Sequence, residues 1–328
     1  MARTIADVGE FDFLSTLLPR LRRGAGTLVG PGQDCALIRG GGSRCLFTVD
    51  ALVEGVHFRR DWLSARQIGR KSFLVNASDV AAMGGQPRFC VVSLGVPKSY
   101  PVRDLLAIQA GIDAAARACG ACVVGGNLTR AKELFVSIAL LADAPRRVVT
   151  RQGARVGDRV YVTGSLGDAA LAVRLLSGPQ RRRLPTPVLR RFREPSPRLH
   201  AGRRLVDSGV VSAMIDVSDG LVQDLAHICT ESRVGAVVDV TRVPLSPAYR
   251  AANGTDARLA LHGGEDYELL CTVSERNVKR LERMRTRLGC PITWIGRVTA
   301  GRKVRLLDAD GRTPRLPAAG FDHFRSHA

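Results

Sequence analysis

The stretch MIDVSDGLVQDL, residues 214–225, places Asp216, Ser218 and Asp219 within four positions, directly ahead of Gly220 and a helix-like run. Carboxylates this close repel one another unless a cation or a strong donor offsets their charge. Three further acids sit in unusual contexts. Asp34 lies in the glycine-rich turn GPGQDCAL, Asp50 at the strand-like end FTVDALVEG, and Asp79 in NASDVAAMGG. Each has an ordinary alternative: Asp34 as a turn residue, Asp79 as a helix-surface charge, Ser218 or Asp219 as the N-cap of GLVQDLAHI. Together the five acids form the kind of oxygen-ligand set with which Mg²⁺ bridges carboxylates to substrate phosphates.

The elements that position these acids alternate. CLFTVDALVEGVHF (45–58) has the period of a strand ending in a loop. SARQIGRKSFLVNASDVAAMGGQP predicts a helix with Phe73, Leu74, Ala77, Val80 and Ala81 on one buried face, Asp79 roughly opposite, and Gly84-Gly85 as the stop. RFCVVSLGVP predicts a strand, VRDLLAIQAGIDAAARACG a helix, ACVVGGN a strand running into a glycine turn, and LFVSIALLADA another strand. The strands CLFTVD and FCVVSLGV are apolar enough to be covered on both faces. RQGARVGDRVYVTGSLGDAALAVRLL then restarts with a loop, a strand and a helix, which puts a domain boundary near residue 148. The Pro- and Arg-rich stretch 176–198 predicts a loop or irregular connection within the second domain. The fold class expected is α/β, with domains over 1–147 and 148–328.

Composition bounds the function class. The chain has 328 residues, 45% of them hydrophobic, which is ordinary for a globular protein. No apolar run reaches the roughly 18 residues of a membrane helix, and the N-terminus lacks the apolar core of a signal peptide, so a cytoplasmic protein with no membrane partner is expected. The net charge of +19 favours anionic partners such as nucleotides and phosphates. The arginines are dispersed and the aromatics, 5%, do not interleave with them, so no specific nucleic-acid partner is expected. Of eight cysteines only Cys119 and Cys122 form a C-x-x-C, without a second pair at zinc spacing; small apolar residues beside a strand are the expected reading.

The motifs GEFDFLSTLLPRL, GPGQDCAL, TVDALVEGVHF, KSFLVNASDVAAMGGQP, VVGGN, TRQGARVGDRVYVTGSLGDAA, MIDVSDGLVQDLAHI, HGGEDYELL, IGRV and GFDHF occur in this order from Gly9 to Phe324. In this the chain resembles the thiamine-monophosphate kinase family, within the superfamily of aminoimidazole-ribonucleotide synthetase and selenophosphate synthetase. The resemblance implies ATP-dependent phosphorylation of thiamine monophosphate to thiamine diphosphate, with ATP as donor and several Mg²⁺ ions. It implies metal ligands at Asp34, Asp50, Asp79, Asp216 and Asp219, with Asp50, Asp79 and Asp216 at the catalytic centre. Thr48 and Val49 match positions that also contact metal, the valine through its carbonyl alone. Gly126 and Asn127 match an ATP-contacting glycine turn, Asn127 also a metal position, Arg151 a phosphate-contacting arginine and Ser218 an ATP contact. His57, Glu265 and Phe321 match positions that contact thiamine monophosphate.

The resemblance also implies an N-terminal sheet with helices on one face, a C-terminal α/β sandwich, and a homodimer built through the N-terminal domains. Two departures bear on the chemistry. The family reads two adjacent acids where this chain has Gln33-Asp34, and Gly-Gly-Asp-Thr where it has Gly125-Gly126-Asn127-Leu128. A neutral amide holds Mg²⁺ more weakly than a carboxylate. The alternative function is therefore a non-catalytic or retuned relative that binds nucleotide or thiamine phosphates as a sensor or partner protein.

Overall fold

The computed structural model describes residues 4–21, 24–40, 42–178 and 185–312. Two short helices, α1 (Ile5–Val8) and α2 (Glu10–Leu17), precede a six-stranded sheet. Its strands are β1 (Thr27–Val29), β2 (Ala36–Gly40), β3 (Ser43–Val53), β4 (Gln86–Val96), β5 (Cys122–Arg130) and β6 (Phe135–Asp143), in the order β1-β2-β3-β6-β4-β5. All neighbours run antiparallel except β4 and β5, which run parallel and are joined by a crossover helix.

Two helices cover one face of this sheet: α3 (Ala65–Ala82) and the crossover helix α4 (Val102–Ala118). α3 opens with a capping box, Ser64 accepting from the Gln67 N–H while the Gln67 side chain accepts from the Ser64 N–H. The two helices approach at glycines. A Cβ on Gly69 would lie 1.9 Å from the Ile108 carbonyl oxygen, and one on Gly111 would lie 2.1 Å from that of Arg66. Larger residues at either site would force the helices apart.

β3 and β6 alternate, and β4 does so beyond a bulge at Arg88. Leu46, Leu52, Cys90, Val92, Val136, Ile138 and Leu140 face the helices and are buried. The opposite face stays open: Phe47, Val49, Phe89 and Val91 are all exposed, Val49 to 59%. The expectation that β3 and β4 are covered on both faces is thus corrected. Their apolar residues on one face have no cover among the described residues. β5 is also not a strand ending in a glycine turn; it runs straight through Gly125, Gly126 and Asn127 to Arg130 as an exposed edge strand.

The second half builds another six-stranded sheet from β7 (Arg159–Thr163), β8 (Val211–Asp216), β9 (Gly235–Asp239), β10 (Leu269–Val273), β11 (Ile292–Thr299) and β12 (Val304–Leu307), in the order β12-β9-β11-β7-β10-β8. The helices around it are α5 (Asp168–Ser177), α6 (Thr186–Arg193), α7 (Leu199–Ser208), α8 (Leu221–Ser232), α9 (Pro247–Asn253), α10 (Arg258–His262) and α11 (Glu275–Met284). Unlike the first sheet, this one is covered on both faces. Val160, Val162, Ile215 and Leu270 pack with α8 and α10 residues on one side, and Tyr161, Met214, Leu269 and Cys271 with α7 and α11 residues on the other. Where an irregular connection was expected, residues 186–193 form the helix α6, with Val188 and Phe192 buried.

α3 belongs to both halves. Its last turn, Ala81 and Ala82, lies in the core of the second sheet with Leu205 and Val206 of α7. Among the described residues, no helix is long and apolar enough to cross a membrane.

Candidate active site

α3 is buried almost all round, from Ile68 to Ala82. Asp79 is therefore not a charge opposite an apolar stripe, as the periodicity suggested, but part of an enclosed helix. Three polar side chains on α3 meet other elements. Asn76 accepts from the Asp50 N–H at 2.9 Å, and Ser78 donates to Asp216 Oδ2 at 2.6 Å. Asp79 Oδ2 accepts from the Thr48 hydroxyl at 2.7 Å. Alternation along β3 puts Thr48 and Asp50 on the helix side with Leu46 and Leu52, and leaves the Val49 side chain on the open face.

Asp34, Asp79 and Asp216 come from three separate segments, yet each offers an oxygen within 4.8 Å of the others. Asp34 Oδ1 accepts from Arg151 through Nη2 at 2.7 Å and Nε at 3.2 Å. Asp34 Oδ2 is buried without a hydrogen-bond partner. A buried carboxylate oxygen with no donor is costly, so the orphan marks where a cation fits. Burial, followed by the charges of Asp50, Asp216 and Asp34, holds the Asp79 carboxyl well above its ordinary pKa. Burial and the neighbouring Asp34 push Asp216 up to about 7. Burial also raises Asp50. Charging all of these acids together is therefore costly, and a divalent ion held among them would offset that cost. The donor set, all hard oxygen, suits Mg²⁺.

The acids line a cavity of about 920 Å³ with Arg151, Ser218, Asp219, His57 and Glu265. Arg151 is held by its main chain as well as its guanidinium. Its N–H donates to Gln33 Oε1 at 2.8 Å, and its carbonyl accepts from Ser232 Oγ at 3.1 Å. Gln33 Nε2 in turn donates to Glu231 Oε2 at 3.2 Å. The amide at position 33 is therefore engaged on both sides, in a place where the family's acid would face Glu231. His57 Nδ1 accepts from the Val53 N–H at 3.1 Å, which puts the proton of the neutral ring on Nε2.

The loop HGGEDYEL separates its three acids. Glu265 lines the cavity. Asp266 accepts from the Gly167 N–H at the start of α5, at 2.9 Å. Glu268 is buried, paired with Arg198 and accepting from the Thr163 hydroxyl at 2.7 Å. A Cβ on Gly264 would lie 2.3 Å from the Ser218 carbonyl oxygen, so the close approach of this loop to the Asp219 turn needs glycine there.

Gly126 and Asn127 are not brought to the cavity in a single chain. They sit on edge strand β5, three strand positions from β3, or about 14 Å at the usual strand spacing. Phe321 lies outside the described residues. Sequence reasoning passed over Asn76, Ser78 and Asp224. Asp224 is buried and accepts from the N–H groups of Asp219 and Gly220, both at 3.1 Å, holding the Asp219 turn. It also offers an oxygen within 4.8 Å of ligand atoms of Asp219 and His227. The signal available was the polar set Asn76, Ser78 and Asp79 on one helix beside a buried apolar stripe.

Comparison with known proteins agrees with this geometry. Residues 32–143 match the family model of the AIR synthase related protein N-terminal domain, and residues 155–309 that of its C-terminal domain. The chain is 33% identical to the thiamine-monophosphate kinase of Bacillus subtilis (strain 168), over 96% of this chain and 99% of that protein. It is 35% identical to the thiamine-monophosphate kinase of Salmonella typhimurium, over 96% and 98%. Among solved structures, AaThiL complexed with AMPPCP and TMP superposes with a TM-score of 0.84 at 31% identity, covering 98% of this chain and 99% of that one. By the two matched halves and by full-length identity, the chain belongs to the AIR synthase related family and, within it, to the thiamine-monophosphate kinases.

Proposed function

We propose that the chain transfers the terminal phosphoryl group of ATP to the phosphate of thiamine monophosphate, giving thiamine diphosphate and ADP. The observation that carries this reading is the cluster of Asp34, Asp79 and Asp216 with its unpartnered Asp34 oxygen, beside Arg151 in one cavity. Full-length relatives bear the name of this activity, and a solved relative is complexed with AMPPCP and TMP.

Asp34, Asp79 and Asp216 hold Mg²⁺, with Asp50, Asp219 and the oxygens of Thr48 and Val49 at its margin. A Mg²⁺ ion held by these acids would supply the positive charge that offsets the phosphates of donor and acceptor. Arg151 supplies a fixed guanidinium to the donor phosphates, oriented by Gln33 and Ser232. Ser218 sits beside it at the cavity wall. His57 and Glu265 face the acceptor. Ser78 and Thr48 aim the two metal-facing carboxylates without adding charge of their own.

The homodimer follows from the open face of the first sheet. Phe47, Val49, Phe89 and Val91 present an apolar surface on one face of the sheet that a second copy would cover. Pairing of this kind also offers a route for Gly126 and Asn127 to a nucleotide, since β5 is distant from the acids of its own chain.

The test is ADP release from Mg-ATP with and without thiamine monophosphate. Release that requires thiamine monophosphate and is matched by thiamine diphosphate supports the proposal. Nucleotide binding with no acceptor-dependent release would support a non-catalytic relative instead.

A further inference from the structure

Lys71 is buried in the middle of α3, with 0% of its side chain exposed. Among the described residues its one ion pair is with Glu265, the ammonium donating to Oε2 at 2.7 Å. The same ammonium sits 3.8 Å from the centre of the Phe192 ring, on its face. Burial lowers the lysine's pKa while Glu265 draws it back up. A buried ion pair is a poor way to gain stability, because desolvating two charges offsets their attraction. An apolar residue would fill this part of α3 at lower cost. What the pair supplies is placement.

Glu265 is gripped at its other end too. Its backbone is left-handed, φ 72°, as is that of Tyr267, φ 51°. The Glu265 N–H donates to the Ser218 carbonyl and the Tyr267 N–H to the Val217 carbonyl, each at 2.8 Å. The main chain of Glu265 is thus tied to the Asp216–Asp219 turn while its carboxylate is tied to α3. Lys71 and Asp79 lie on one side of that helix, with Val75 between them on the cavity wall. Eight residues at the helical rise set them about 12 Å apart.

We propose that Lys71 is a positioning residue for the acceptor end of the site. It holds the Glu265 carboxylate at a set distance along α3 from the metal-facing Asp79, so one rigid helix carries both ends of the phosphoryl path. The role of Lys71 rests on the reading that Glu265 faces thiamine monophosphate. Phe192 supports it by lining the ammonium with a ring face, which ties the placement of α6 to the same point.

The experiment compares steady-state constants of the full-length protein for Lys71→Met, Glu265→Gln and the double variant. Lys71→Met is expected to raise KM for thiamine monophosphate about tenfold or more, the scale of a lost charge-assisted hydrogen bond. KM for ATP and the Mg²⁺ concentration for half-maximal rate should stay within about twofold, since the metal-facing acids are untouched. In the Glu265→Gln background Lys71→Met should add almost nothing, because it acts through Glu265. If Glu265→Gln raises the acceptor KM and Lys71→Met does not, the positioning role is overturned and the acceptor reading stands. If Glu265→Gln leaves the acceptor KM unchanged, the acceptor reading itself is wrong and the proposal falls with it. Should Lys71→Met fail to fold, Phe192→Leu removes the ring and no charge. It is expected to raise the same KM about two- to fivefold, and an unchanged KM overturns the proposal.

Discussion

The two faces of the first sheet are built from the same strands and have opposite fates. One face carries Leu46, Val136, Ile138 and Leu140 and is sealed by α3 and α4. The other carries Phe47, Val49, Phe89 and Val91 and is left open among the described residues. The sealed face also carries chemistry: Thr48 and Asp50 alternate with its apolar residues and meet α3. The open face carries none of the buried acids. The buried acids thus gather within one chain, whereas Asn127 stands on edge strand β5 away from them, and the proposed second copy is what would bring it to a nucleotide. Each half of that statement can be broken separately.

The largest effect is expected on the sealed face. Asp79→Asn should lower kcat by more than about a hundredfold, since it removes a ligand at the centre of the cluster. The melting temperature of the metal-free protein at about pH 8 should not fall. The variant removes a buried negative charge among three others. Normal turnover in Asp79→Asn would remove the acid cluster from the chemistry.

The open face comes next. Val91→Asp puts a charge on the exposed apolar face at a residue that does not line the cavity. It should yield a monomer by light scattering and cut kcat/KM about tenfold or more, while chemical stability at high dilution stays close to wild type. A Val91→Asp protein with wild-type mass would show that this face is not the dimer contact. A monomer with full activity would show that the site needs no second copy.

The pH dependence of stability is smaller and again concerns the sealed face. Asp216 titrates near 3.8 unfolded and about 7 folded. A carboxyl raised in this way favours the folded state at low pH, and that advantage is lost as pH rises towards the folded value. The metal-free protein should therefore lose stability between about pH 4 and pH 7, by a melting-temperature fall of a few degrees. Mg²⁺ should reverse the loss at the upper end, and Asp216→Asn should flatten the slope. A metal-free melting temperature that rises steadily across this window would contradict the burial-driven shift.

The smallest effect separates two neutral residues that stand where the family has acids. Asn127→Asp should lower the Mg²⁺ concentration for half-maximal rate, about fivefold for a gain near 1 kcal/mol. Gln33→Glu should not lower it, because the position 33 amide already serves the Arg151 N–H and Glu231. A glutamate there would face the Glu231 carboxylate, and Glu231→Gln should relieve it. Equal improvement by both substitutions would mean that position 33 is open to the metal.

Much of this was legible in the sequence. The five acids and Ser218 stood out by type and context, Arg151, His57 and Glu265 were implied by the family resemblance alone, and all of them line one cavity. The alternation of β3 indicated which of its residues share a face. What escaped was what depends on neighbours distant in sequence. Asp79 looked like a surface charge because helix periodicity cannot see a second sheet packed on the end of α3. The apolar β3 and β4 looked fully covered because a patch awaiting a second copy has the same composition as a core. GGN suggested a turn, but glycines on an edge strand are tolerated there by β4 alongside. The helix over 186–193 was hidden by its prolines and arginines, which predict a loop until Val188 and Phe192 are seen to be buried.

The most direct test of the central claim is manganese binding, followed by electron paramagnetic resonance, to the full-length protein in the presence of AMPPCP. Mn²⁺ reports the oxygen-ligand site without turnover. Wild type is expected to bind Mn²⁺ saturably, and Asp79→Asn, with its melting temperature intact, to bind at least about tenfold more weakly. Equal Mn²⁺ affinity in the two proteins would contradict the assignment of Asp34, Asp79 and Asp216 as the metal-holding cluster.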